Sequence, residues 1–199
     1  MINRILAAAT AALALGACSP TSDRSAVVSD NTASGADTIA AATPSPTPAA
    51  VASAATARVL TLEGLGDLRI GEPVPAGGVW RERGAQTGEG CRTVSAPDFP
   101  GVYAIVTGGK VRRITVGQRS DVKLTEGIGV GTSEGDVAKW FASFRAEPHK
   151  YVAAPAKYLT APNAANSESA LRFEIGRDGK VSMMHVGTMP ELALVEGCA

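Results

Sequence analysis

The second half of the folded part of this chain repeats the first. Ile70-Gly71 recurs as Val130-Gly131 and Trp80 as Trp140, both at an offset of 60. Gly109-Lys110-Val111 recurs as Gly179-Lys180-Val181 at an offset of 70, together with Val116-Gly117 in Val186-Gly187, Tyr103 in Phe173 and Ile105 in Ile175. The change of offset places an insertion of about ten residues between the two blocks. Such self-similarity means one supersecondary unit built twice, each copy burying what the other leaves open. The copies span about 67–117 and 127–187.

Each copy reads in the same order. A short strand ends at a glycine, Leu68 to Gly71 and Ile128 to Gly131. In copy two a helix follows, with Ser133 as its cap and Asp136 three residues on, as in a capping box. Val137, Trp140, Phe141 and Phe144 then share one apolar face, and Pro148 is expected to end the helix. In copy one, Glu72-Pro73-Val74-Pro75-Ala76-Gly77-Gly78 predicts a loop that still delivers Trp80 to the core. Hairpins close both copies: 102–107 and 110–116 around Gly108-Gly109, then 171–175 and 180–186 around Arg177-Asp178-Gly179. Alternation is expected to bury Tyr103 with Ile105, and Ile114 with Val116. The expected class is α+β, a tandem duplicated module whose antiparallel sheet carries a helix on one face.

Composition sets the limits of the folded part at 58–199. All nine aromatic residues and 20 of the 22 glycines fall after residue 58. By contrast, 29 of the 39 positions in 19–57 are Ala, Ser, Thr or Pro. Such a stretch cannot bury enough apolar surface to offset its ordering entropy, so it reads as a disordered tether. As a coil it would span roughly 35 Å. With 19 basic and 19 acidic side chains the chain lacks the basic excess of a nucleic-acid binder.

Residues 1–17 read as a secretory signal: Arg4, an apolar run from Ile5 to Ala14, then small residues. The ending Leu15-Gly16-Ala17-Cys18 resembles the lipobox of bacterial lipoproteins. That resemblance makes Cys18 the mature N-terminus, carrying diacylglycerol and commonly a third, palmitate-type acyl chain. Two or three chains hold a protein at a bilayer, where one does not. Ser19 rather than an aspartate after the cysteine favours the outer membrane by the same resemblance. With Cys18 taken by lipid, Cys91 and Cys198 remain in an exported chain, and pairing is the default expectation. Free thiols and a redox pair are the alternatives, and no Cys-x-x-Cys is present.

Chemistry leaves few marks. His149 and His185 are the only histidines, and no Gly-x-Ser-x-Gly elbow, phosphate loop or dinucleotide fingerprint occurs. His149, after Pro148, is expected in an exposed loop. Met183, His185 and Met189 form a weak thioether–imidazole set of the kind that suits Cu(I), with Met184 on the opposite strand face as core filling. Neither a metal nor any other cofactor is assigned on this basis. Arg81, Arg83, Arg92, Arg112 and Arg113 are candidates for a basic binding face in copy one, against the plain reading of a solvated sheet face.

The scheme of Gly-ended strand, short helix and Gly-Lys-Val hairpin resembles the tandem modules of β-lactamase-inhibitor-protein-like folds. It is also similar to small outer-membrane-assembly lipoproteins of that superfamily, and in broader look to proteobacterial lipoproteins. The likeness is strongest at Thr132-Ser133-Glu134-Gly135-Asp136-Val137. The inhibitors carry a disulfide inside each module, whereas here one bond would join the two. No inhibitory loop carries over residue by residue; the expected role is a membrane-anchored envelope module for binding or scaffolding that presents a concave sheet face to a protein partner. A hydrolase on cell-wall or small-molecule substrates, and a small-ligand or metal carrier, are the alternatives.

Overall fold

A computed structural model describes residues 58–83 and 90–198. The signal peptide, Cys18 and the tether lie outside the described residues.

Three short strands open the fold: β1 (Val59–Thr61), β2 (Gly64–Leu65) and β3 (Leu68–Arg69). Next come β4 (Arg81–Glu82), β5 (Cys91–Ser95), β6 (Val102–Thr107), β7 (Lys110–Val116) and β8 (Lys123–Leu124). Helix α1 (Glu134–Trp140) precedes β9 (Arg145–Pro148), β10 (Lys157–Thr160), β11 (Ala170–Ile175) and β12 (Val181–Gly187). Eight strands form one antiparallel sheet in the order β4-β5-β6-β7-β12-β11-β10-β9. The order reads outward identically from its centre, where β7 pairs with β12. A small sheet, β3-β2-β1-β8, includes the parallel pair β1·β8 and was not anticipated from the sequence.

Strand alternation gives the large sheet two unlike faces. Val102, Ala104, Ile114, Val116, Leu171, Phe173, Met184 and Val186 point to one side and are buried. Against them pack Leu60, Leu65, Leu68 and Leu124 of the small sheet, Val137 of α1, and Trp80. Trp80 stacks on Phe99 at 5.4 Å, with its Nε1 donating to Asp67 Oδ1 at 3.3 Å. The loop over 72–80 does deliver it to the core. Mostly antiparallel sheet with one α-helix among the described residues is compatible with the α+β class, and equally with a mostly-β one.

Four expectations change. First, α1 is short. Ser133 caps it, with Oγ accepting from Asp136 N at 3.1 Å, but it ends at Trp140 and not before Pro148. Phe141 and Phe144 turn instead onto Phe173, at ring distances of 5.4 and 5.9 Å. Residues 145–148 join the sheet as its edge strand, where a proline is tolerated. Second, Trp140 is 63% exposed and does not share the environment of Trp80. Third, the glycine-ended strands are minimal: β3 stops at Arg69, and 128–131 holds only the bridge of Gly129 to Lys123.

Fourth, the hairpin match slips by one residue. Gly108 and Gly109, both at positive φ, make a two-residue turn, while Arg177-Asp178-Gly179 takes three. Facing positions on β6 and β11 therefore differ by 69, not 70: Ala104 pairs with Ile114, and Phe173 with Met184. Tyr103 corresponds to Arg172, and Ile105 to Glu174. A one-residue slip moves a side chain to the other face. Tyr103 and Ile105 accordingly lie opposite Thr115 and Arg113, away from Ile114 and Val116; Ile105 is buried there as expected, while Tyr103 is half-buried.

Candidate functional site

The second face of the large sheet carries the chemistry. Along β12 and β11 it presents Met183, His185, Arg172 and Glu174, and along β7 Thr115 and Arg113. Tyr158 and Thr160 of β10 and Glu147 of β9 extend it. Polar strand faces ordinarily meet water. Here Arg113, Thr115, Thr160, Arg172 and His185 are all buried.

Glu174 is the centre of a network with His185, His149 and Thr115. Its Oε1 lies 3.1 Å from His185 Nε2, and its Oε2 lies 3.4 Å from His149 Nε2. His185 Nδ1 meets Thr115 Oγ1 at 2.9 Å. His149 Nδ1 accepts the backbone N–H groups of Tyr151 at 3.1 Å and Val152 at 3.2 Å, which leaves the ring proton on Nε2, facing Glu174. The same ring stacks on Tyr158 at 4.6 Å, and the Arg172 guanidinium covers the tyrosine at 4.2 Å. Arg172 also pairs with Glu147 at 3.6 Å.

Electrostatics follow from burial. Loss of solvent pushes the His185 imidazole below its ordinary value, with Arg113 and Arg172 adding to the effect against Glu174. Burial alone would raise Glu174, but hydrogen bonds and charge from His185 and then His149 outweigh it and hold the carboxyl below its usual range. Burial likewise lowers Arg113, with nearby Tyr103 opposing.

Two segments lie over this face. The C-terminal segment turns through a 3₁₀ helix at Glu191–Ala193 that packs on β7 and β12. Arg113 Nη1 donates to Glu191 O at 3.1 Å and to Leu194 O. Leu192 is buried among Ala161, Ala164, Ala170 and Phe144. The segment is pinned by the Cys91–Cys198 disulfide, with Cα atoms 5.6 Å apart. The second segment is the loop after β9, held through His149. Lys150 Nζ and Glu196 Oε1, 3.6 Å apart, join the two. This face of the sheet is thus covered, with buried Arg113 donating to main-chain carbonyls of the C-terminal segment.

The sequence candidates separate accordingly. His185 and Met183 do share a face, and Met184 fills the core, but Met189 is exposed further along the chain. No group of three or more His, Cys, Asp or Glu arranged for a metal ion occurs among the described residues. His149 is not an exposed loop residue: its side chain is 10% exposed and bonded on both nitrogens. The five arginines form no common face. Arg113 is 1% exposed, Arg92 pairs with Glu82 at 2.9 Å, Arg81 binds the carbonyls of Gly78 and Trp80, and Arg83 lies over Tyr103 at 5.7 Å. Arg112 is half-buried at the bulge in β7.

Thr115, His185 and Glu174 stand in the order of hydroxyl, base and acid found in hydrolytic triads. The hydroxyl is wholly buried mid-strand, and an attacking atom must be reachable by substrate. The network instead holds the loop after β9 through His149, while Arg113 holds the C-terminal segment. Glu174 and Tyr158 were missed in the sequence, since a lone Glu and Tyr in alternating strands look like solvated positions. No helix among the described residues is long and apolar enough to cross a membrane. Compared with known proteins, the chain matches no family model, no curated protein and no solved structure.

Proposed function

We propose that this protein is a lipid-anchored module of the bacterial cell envelope, tethered through Cys18, whose role is to bind another envelope protein. The observation that carries the binding role is the surface built by the two covering segments. Seven large apolar side chains stay exposed among the described residues, and four of them, Tyr151, Val152, Met189 and Leu194, sit on these segments. Tyr151 is 58% exposed although its own backbone N–H is tied to the half-buried His149. Rigidly held loops with exposed aromatic and aliphatic tips are how scaffolds present binding residues. The Lys150–Glu196 pair puts Tyr151, Val152 and Leu194 into one neighbourhood.

Descent from a duplicated module is part of the same reading. Gly71 N bonds Val111 O at 2.8 Å and Val111 N bonds Glu72 O at 2.8 Å; Gly131 N bonds Val181 O at 2.8 Å and Val181 N bonds Thr132 O at 2.9 Å. Both hairpins bulge at matching residues, Arg112 and Ser182. This supports the likeness to tandem inhibitor-type modules. The proposed binding surface lies on the covering segments, where Tyr151, Val152, Met189 and Leu194 are exposed, rather than on the sheet itself.

A photo-crosslinking residue at Tyr151 in intact envelopes is expected to give one discrete, saturable band, lost in Leu194→Asp. The same residue at Trp140 should give no such band. Cys18→Ser is expected to leave the membrane fraction. Absence of any band from Tyr151 at native abundance would remove the binding role. A Cys18→Ser protein that still sediments with membranes would remove the anchor.

A further inference from the structure

We infer that the cleft between the small sheet and the large one is a binding site for a small hydrophobic ligand bearing a cationic head, such as an alkylammonium. The cleft has a volume of about 290 Å³ and lies on the opposite side of the large sheet from the histidine network. Its walls are Leu60, Leu124, Phe141, Phe144, Leu171 and Val186. Volumes of roughly 300 Å³ are the lower end for small-molecule sites, and apolar walls with a few polar groups at one end are their usual form. Most apolar cores close such space. Here it stays open because α1 stops at Trp140, and Phe141 and Phe144 lean onto Phe173 instead of filling the gap toward β1.

The polar groups at the mouth decide the ligand's head. They are Thr61, Thr125, Glu126 and Asn163, and no Lys, Arg or His lines the cleft. Asn163 donates one Nδ2 hydrogen to Ser169 O at 3.1 Å, which fixes the amide and presents its carbonyl oxygen as an acceptor. Glu126 is exposed and makes no ion pair or side-chain hydrogen bond among the described residues. The mouth thus offers a carboxylate and an amide oxygen to a donor, with no positive charge to hold an acid. An alkylammonium satisfies both; a fatty acid places its carboxylate against Glu126.

The test uses the full-length chain carrying Cys18→Ser, which keeps attached lipid out of the assay. Octylamine, octanol and octanoate are titrated while the methyl resonances of Leu60, Leu124, Leu171 and Val186 are followed. Octylammonium is expected to bind best and octanoate worst, with a roughly two- to fivefold step for an exposed charge pair. Glu126→Gln should abolish the preference for the amine over the alcohol, and Glu126→Lys should invert it toward octanoate. Both substitutions lie on an exposed turn that buries nothing. The inference fails if none of the three probes moves those methyls. It also fails if octanoate binds the unchanged cleft as well as octylammonium, or if Glu126→Lys leaves the order as it was.

Discussion

Replacing Cys91 and Cys198 together by serine is expected to lower the unfolding free energy by about 2–5 kcal/mol. The disulfide spans 107 residues of sequence, from β5 in the first half of the large sheet to the last residues of the chain. In the chain-entropy view a closure of that length constrains the unfolded ensemble strongly. The folded state loses little by comparison. Leu192 stays buried against Ala161, Ala164 and Ala170, and Arg113 still holds the carbonyls of Glu191 and Leu194. The C-terminal segment should therefore remain seated as far as Leu194 and loosen only beyond it. Equilibrium denaturation of the oxidised wild-type chain and of the double variant measures the difference. A change under about 1 kcal/mol would mean that the link adds little to what packing supplies. Protection of the Leu192 amide against hydrogen exchange in the variant separates a freed tail from an unseated segment.

Much of the architecture was legible because it depends on local chemistry. Gly108-Gly109 and Asp178-Gly179 mark their turns, and Ser133 caps its helix through a bond visible in the spacing. The errors arose where distant contacts overruled local pattern. Val137, Trp140, Phe141 and Phe144 carry a helical period, yet Phe173 offers an aromatic surface that Phe141 and Phe144 reach only by leaving the helix. One additional turn residue in the second hairpin put the matched strands out of step, and with them the faces of Tyr103 and Ile105. The small sheet was hidden because its strands are two or three residues long. The polar network was hidden for a different reason. His185, Glu174, Thr115 and Arg113 look like the solvent side of alternating strands. The folding-back of residues 188–198, together with the loop after β9, turns that side into an interior, and no periodicity announces either.

That interior makes stability sensitive to acid at an unusually high pH. In the unfolded chain His185 titrates near 6.5; in the folded chain burial holds it lower. Between those two values the unfolded state binds a proton that the native state refuses. Stability is therefore full above about pH 6.5 and falls as the pH drops, by up to about 1.4 kcal/mol per pH unit for one proton. Glu174 has the same sign over a lower range. Its folded value sits below 4.5, so its contribution is present above that pH and is lost as the pH falls through the lower folded value. The groups around the site share the strain. Arg113 of β7 and Arg172 of β11 oppose a charged imidazole, Glu174 favours one, and Tyr103, Tyr158, Glu147 and His149 close the surroundings. Urea midpoints measured from about pH 7.5 down to 5 should fall in the wild-type chain, before the bulk of the carboxylates protonate. In His185→Gln the amide can still donate to Glu174 but takes up no proton, so the fall should be shallower, and the difference between the two slopes is the share of His185. Equal slopes would place the acid sensitivity elsewhere, and a flat wild-type profile would mean that the buried imidazole accepts its proton in place. If the fall is seen, the covering segments should release together, because Glu174 holds His149, and through it Tyr151 and Val152, while His185 lies on the same face that Arg113 binds to the C-terminal segment.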